Sequence, residues 1–277
     1  MEHHAQINGS DTAYWEYNPT KQPTLLLIHG FRGTHHGLLR IAEELSDYRL
    51  IIPDLPGFGD SEALTTGHSI DDYLAWLDAF RRHIDGAEQS YIVGHSFGTI
   101  ITSHYAAAYP ETVKKLVLIN PIGSPALESE HRFLVQLAIL YYWLGRKLPA
   151  SAARAWISMK PATKIMSITM RKTKDKGIRR YIDEQHYAHF SSFANPTQLA
   201  QAFRTSVSHD VYQVAHELHI PTLLIAGEKD DITSLAKQRY LHGAIDGAQL
   251  VVIDGVGHLT HYETPEAVAT AIRNFIQ

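Results

Sequence analysis

Ser96 lies between two glycines in the run Gly94-His95-Ser96-Phe97-Gly98. A turn this tight lifts the hydroxyl off the backbone, and side chains beside it would clash, hence glycine at both flanks. A serine hydroxyl is a weak nucleophile at neutral pH. It needs a base within hydrogen-bond reach and an acid that orients the base. Two later segments offer both. Gly227-Glu228-Lys229-Asp230-Asp231 contains two candidate acids, Asp230 and Asp231. Gly255-Val256-Gly257-His258 ends on a candidate base, with His261 as its competitor. The chain order is serine, acid, histidine. Such a set can attack a carbonyl and pass through a covalent acyl intermediate.

These residues are useful only if the fold carries them to one place. The serine run follows the apolar stretch Tyr91-Ile92-Val93 and precedes a helical pattern that runs to Tyr109, so it reads as strand, turn, helix. Further strands are predicted over 24–29, 49–53, 115–120, 221–226 and 248–254. The first of these is continuously apolar, as in a strand buried on both faces. Segment 6–17 reads as two short strands around Asn8-Gly9-Ser10-Asp11. Helices are expected over 36–45, 69–83, 97–109, 234–242 and 265–276, the second with Ser69 as N-cap and Asp71-Asp72 in its first turn. Alternating strands and helices imply right-handed parallel crossovers and an open α/β sheet. The acid and the histidine then follow strands, at the same sheet edge as Ser96. Between 121 and 215 no strand is visible; helical patterns are broken at Pro149, Pro161 and Pro196.

Composition sets outer limits. The chain has 277 residues, 44 % hydrophobic and 19 % charged, which suits one domain with an insertion or two domains. A net charge of −4 gives no global sign of nucleic-acid binding. Cysteine is absent, which excludes disulfides, thiolate metal sites and a cysteine nucleophile. Residues 1–6 lack the basic and apolar regions of a signal peptide, and a cytoplasmic protein is expected. His3 and His4 receive no function. The apolar stretch over 133–144 is too short to span a bilayer and is interrupted by Gln136.

Assembled in this way, the chain resembles the α/β-hydrolase fold superfamily, of the capped kind. His29-Gly30-Phe31, Asp54-Leu55-Pro56-Gly57-Phe58-Gly59-Asp60-Ser61, the Ser96 run, 227–230 and Gly257-His258 carry the resemblance. It implies a mostly parallel eight-stranded α/β sheet flanked by helices, with a helical cap inserted after the sixth strand. The core would be 1–120 and 216–277 and the cap 121–215. It further implies Ser96 as nucleophile, Asp230 as acid and His258 as base. The backbone N–H groups of Phe31 and Phe97 would form the oxyanion hole. Asp230 is favoured as the third residue after Gly227; Asp231 would then cap the next helix or pair with Lys229. Some relatives carry the acid after the preceding strand, where this chain has Asn120. His261 becomes a surface or pocket-edge residue, His29 fixes the oxyanion loop, and the 54–61 loop is structural. No metal or organic cofactor is implied; the histidines at 35, 36, 186, 189, 216 and 219 form no convincing ligand set.

The expected activity is hydrolysis of a carboxylic ester or related acyl bond of a small, apolar substrate. His95, Leu140, Tyr141 and Trp143 are candidate pocket residues, within an apolar wall over 133–144. Met159, Met166 and Met170 would add a deformable wall. The basic run 171–180 reads as solvated surface or as a contact for an anionic substrate or membrane surface. Carbon–carbon hydrolysis of a vinylogous diketone, cofactor-free perhydrolysis or haloperoxidation, and non-catalytic ligand binding are the alternatives on the same fold. No nucleic-acid partner or membrane span is expected, and the oligomeric state stays open.

Overall fold

The chain enters through a hairpin. Glu2–Ile7 (β1) and Ser10–Tyr17 (β2) pair antiparallel, with Ile7 opposite Ser10. The intervening Asn8 and Gly9 both have positive φ, 47° and 78°. Asn-Gly is the dipeptide that tolerates this turn. The first strand therefore begins before residue 6, and pairing places His3 and His4 opposite Tyr14 and Ala13.

A computed structural model describes residues 1–86, 88–124 and 132–277. The remaining strands are Thr24–Ile28 (β3), Arg49–Pro53 (β4), Ser90–His95 (β5), Val113–Ile119 (β6), Thr222–Gly227 (β7) and Gln249–Ile253 (β8). They form one eight-stranded sheet in the order β1-β2-β4-β3-β5-β6-β7-β8. β2 meets β4 antiparallel, and every pairing from β4 to β8 is parallel. The sheet is thus mostly parallel with an antiparallel hairpin at one edge. Strand order reverses direction between β3 and β5, where Ile28 lies opposite Gly94. Loops leave in opposite directions at such a switch point and open a crevice at the strand C-termini. The turns after both strands, at 29–33 and 96, border that crevice.

Helices cover both faces. Leu39–Glu44 (α1), Ile70–Asp85 (α2) and Phe97–Ala108 (α3) precede or accompany the central strands. α2 begins with a capping box, in which the Ser69 hydroxyl accepts from the Asp72 N–H and Asp72 accepts from the Ser69 N–H. Leu235–Ala244 (α9), Thr260–Glu263 (α10) and Pro265–Ile276 (α11) follow β7 and β8. β3 shows how the core is divided. Leu26 and Ile28 pack on one face with Trp76 and Phe80 of α2 and Ile101 of α3. Leu25 and Leu27 pack on the other with Ile41 of α1 and Ile272 of α11. Alternation alone sends them apart, and each fully buried aliphatic stabilises the fold by roughly 1.5–3 kcal/mol.

Between β6 and β7 the described residues form Arg132–Lys147 (α4), Ala150–Ile157 (α5), Lys160–Met170 (α6), Lys176–His189 (α7) and Pro196–Ser208 (α8). α7 and α8 start on side-chain caps, Asp175 accepting from the Ile178 N–H and Asn195 from the Gln198 N–H. These helices are tied to the sheet through the loop after β4. The Gly59 N–H donates to Ser192 O and the Ala194 N–H to Gly57 O, both at 2.9 Å. Among the described residues no helix is long and apolar enough to cross a membrane.

Candidate active site

Ser96 occupies the turn between β5 and α3 at φ 52° and ψ −116°. A side chain rarely adopts this backbone; such strain costs on the order of 1–3 kcal/mol and persists where the surroundings enforce it. They do so here by contact. A Cβ on Gly94 would stand 2.7 Å from Gly98 O, and one on Gly98 would stand 2.8 Å from His29 O. Only glycine fits at either flank. The Ser96 N–H donates to Ile119 O at 3.0 Å, which pins the turn to the end of β6.

His258, in the loop after β8, bridges the serine and the acid. Its Nε2 is 2.8 Å from Ser96 Oγ and its Nδ1 is 2.8 Å from Asp230 Oδ2. An ionised carboxylate only accepts, so Nδ1 carries the proton and Nε2 accepts from the serine hydroxyl. Asp230 is buried and fully solvated by protein. Its Oδ1 accepts from the Ile232 and Thr233 N–H groups, and its Oδ2 accepts from Thr233 Oγ1 and Asn120 Nδ2. Burial opposes its charge, but the His258 imidazole and the His258 and Thr233 hydrogen bonds outweigh burial and hold the carboxyl at about 2. Asn120, at φ 48° beyond β6, reaches Asp230 at 2.9 Å and takes a hydrogen bond from Thr260 Oγ1 at 2.5 Å. Asn120, Thr233 and Thr260 carry no motif; only the position of Asn120 beyond its strand hinted at this neighbourhood. Asp231 borders the cavity and pairs with Lys172 rather than with Lys229, and Ser234 stands at the N-cap of α9.

The loop after β3 meets the serine from the other side. The His29 ring accepts the Leu55 N–H at Nε2 and donates from Nδ1 to Gly30 O, both at 2.8 Å. It thereby locks the 30–33 turn to the loop after β4. A Cβ on Gly30 would lie 3.1 Å from Ser96 Cβ, so glycine permits the close approach. Phe97 is the first residue of α3, and its N–H has no partner within the helix. Phe31 and Phe97 both border the cavity over Ser96, their rings 6.3 Å apart edge to face. Arg32, at φ 58° and buried, extends away from the serine. Its guanidinium donates to Phe190 O at the end of α7, to Ile157 O at the end of α5 and to the Tyr142 hydroxyl. Both carbonyls lie at helix C-termini, where a cation is favoured.

The cavity has a volume of about 810 Å³ and a mostly apolar lining drawn from the sheet loops and from α4, α6, α7 and α8. Ser96, Asp230 and His258 stand in its wall with Met166, Met170 and Phe203. His95 borders it as well, its Nε2 3.4 Å from His258 O. Three expected pocket residues lie elsewhere. Leu140 and Trp143 are 47 and 46 % exposed on the outer face of α4. Tyr141 turns away and donates to Trp156 O at 2.8 Å. Of the described α4 side chains, Val135 alone reaches the cavity. An apolar stripe at helical spacing does not reveal what it faces. His261 is buried against His95, ring centroids 4.0 Å apart, and is no surface residue. His186 and His261 line the cavity with Nδ1 lacking a partner among the described residues. His35 pairs with Asp54, and His36 stacks on His189. No cluster of three or more His, Asp or Glu suited to a metal occurs among the described residues.

Comparison with known proteins follows the same lines. The family model described as alpha/beta hydrolase fold matches residues 23–265. Lipase 3 of Moraxella sp. (strain TA144) is 28 % identical over 283 residues, covering 97 % of this chain and 82 % of that protein. Lipase 1 of Psychrobacter immobilis is 28 % identical over 280 residues, covering 97 % and 81 %. Among solved structures, a membrane phospholipase A described as a bacterial virulence factor superposes with a TM-score of 0.79 at 25 % identity, covering 100 % of this chain and 85 % of that one. Sheet order, switch point and family match agree: the chain belongs to the alpha/beta hydrolase fold family.

Proposed function

We propose that the protein hydrolyses a carboxylic ester or related acyl bond of a small, largely apolar substrate through an acyl-enzyme on Ser96. The observation that carries this reading is His258 bridging Ser96 Oγ and Asp230 at 2.8 Å each, in the wall of an apolar cavity. The names of the lipase relatives support an ester as the bond. His258 Nε2 takes the hydroxyl proton as Ser96 Oγ attacks the carbonyl carbon. Asp230, ionised well below neutral pH, balances the imidazolium and holds the ring. The Phe31 and Phe97 N–H groups stabilise the oxyanion; loss of one such donor typically costs about 10²–10³ in rate. The imidazolium proton then leaves with the alcohol. Water, deprotonated by the same nitrogen, releases the acid and restores Ser96. The inserted helices act as a cap that excludes water and so strengthens these charge interactions. Serine at this turn, where epoxide- and halide-processing relatives need a carboxylate, favours acyl chemistry.

Initial rates on p-nitrophenyl esters from acetate to palmitate, with Ser96→Ala beside the parent protein, test this reading. A maximum at one chain length that disappears in Ser96→Ala is expected. Turnover in Ser96→Ala within about tenfold of the parent would remove Ser96 from the reaction, since a nucleophile of this kind accounts for far more.

A further inference from the structure

Charge is distributed unevenly along this chain. Segment 132–180 contains twelve Lys and Arg and a single acidic residue, Asp175. The whole chain has 25 basic and 29 acidic residues, so thirteen basic and twenty-eight acidic residues lie outside that segment. An excess of eleven positive charges on α4 to early α7 thus opposes an excess of fifteen negative charges elsewhere. Asp183 pairs with both Lys164 and Arg171, and Asp231 pairs with Lys172. Among the described residues, Arg146, Lys147, Lys160, Lys174, Lys176 and Arg180 are exposed with no carboxylate at ion-pair distance.

The same helices turn apolar side chains to solvent. Phe133, Leu137, Leu140 and Leu144 recur along one side of α4, joined by Trp143, and each is 40–67 % exposed. Ile165 and Ile168 of α6 are exposed as well. The buried side of α4 is instead formed by Tyr142 and Gly145, the latter against Ile157. A water-facing helix normally shows the opposite pattern. Lys147 lies over the Trp143 ring at 5.6 Å, so cation and apolar surface share the last turn. α4 and α6 also share in one cavity, since Val135 of the first and Met166 and Met170 of the second line it together with Ser96.

We propose that this face docks the protein on an anionic lipid surface, with α4 lying in the interface and the cavity mouth turned towards it. Aliphatic and aromatic side chains on one side of a helix, with Lys and Arg at its edge, suit the boundary between headgroups and acyl chains. The unpaired basic residues supply attraction to anionic headgroups. An acidic protein would satisfy the charges, but a stripe of phenylalanine, leucine and tryptophan is met best by hydrocarbon. The contact is peripheral, since no described helix spans a bilayer. It does not depend on the acyl-transfer reading, and it is measured without turnover.

The test is sedimentation of Ser96→Ala protein with vesicles of pure phosphatidylcholine or of phosphatidylcholine mixed with phosphatidylglycerol. Binding is expected on the mixed vesicles, weaker by about tenfold or more on the neutral ones, and lost near 1 M NaCl, where charges are screened beyond about 3 Å. L137E/L144E and K174E/K176E/R180E, each in the Ser96→Ala background, should each lower the bound fraction about tenfold. Denaturant midpoints and far-ultraviolet dichroism of both variants should match those of the Ser96→Ala protein, which shows them folded without reference to turnover. Failure of the parent face to bind phosphatidylglycerol vesicles in low salt overturns the proposal and leaves an acidic protein surface as occupant. Equal, salt-insensitive binding to both vesicles, or unchanged binding by both variants, overturns it too.

Discussion

At the scale of single residues, the site divides into what a motif announces and what only three dimensions reveal. Ser96, Asp230 and His258 could be read because each sits at a fixed offset from a glycine that the turn requires. Asn120 could not, because a buried amide has no pattern of its own; the sequence said only that no acid stands there. Yet Asn120 holds Asp230 at 2.9 Å and is itself held by Thr260. Asp230→Asn should therefore lower kcat by about 10³–10⁴, through loss of the charge and of the correct imidazole tautomer. Asp231→Asn, which removes only a solvent-exposed pair with Lys172 at the cavity wall, should stay within about twofold. Parallel kinetics on the two variants decide between them, and the reverse ranking would move the acid by one position. Asn120→Ala leaves one oxygen of Asp230 short of a donor and should cost about ten- to a hundredfold in kcat with little change in KM. An unchanged kcat would make Asn120 a bystander.

At the scale of elements, strand and helix alternation was legible because buried strands and amphipathic helices leave different periods in the chain. The hairpin was legible in kind but not in length: β1 pairs through His3 and His4, which carry no apolar signal. The inserted helices were legible as helices, but their orientation was not. The apolar stripe of α4 was expected to line the pocket, and Leu140 and Trp143 face solvent. Arg32 helps to seat these helices: a buried cation with no carboxylate partner among the described residues, it is satisfied by the C-terminal carbonyls of α5 and α7. Arg32→Met should lower stability by about 2–4 kcal/mol, because two buried carbonyls lose charged donors. Arg32→Lys should restore little, since one ammonium cannot reproduce the planar fork. Denaturant midpoints with amide exchange across α5 and α7 check this. A parent-like midpoint in Arg32→Met would mean that the helices are seated by their apolar contacts alone.

At the scale of the whole molecule, buried histidines make stability depend on pH. Burial is the main cause that depresses His68 to about 4, and His95 and His186 to about 3. In the unfolded chain each takes up a proton near 6.5. In the window between, the unfolded state binds more protons, so the stability is present above about pH 6.5 and is lost as pH falls. Each histidine contributes about 1.4 kcal/mol per pH unit there. Together they remove on the order of 5 kcal/mol between pH 6.5 and 5, a large share of ordinary domain stability. Asp230 adds a loss of roughly half that size further down, as pH falls from its ordinary 3.8 towards about 2. Guanidinium midpoints at pH 7 and pH 5 should differ accordingly; equal midpoints would mean that these rings protonate without unfolding. A second global property is hidden by the net charge of −4. With positive charge gathered on the inserted helices and negative charge on the rest, the molecule is complementary to itself. Head-to-tail contacts of this kind run from copy to copy, as rings or open chains, rather than pairing like faces. Concentrated protein in dilute buffer should scatter light as reversible assemblies that dissolve when salt is added, although its mean charge alone would predict mutual repulsion.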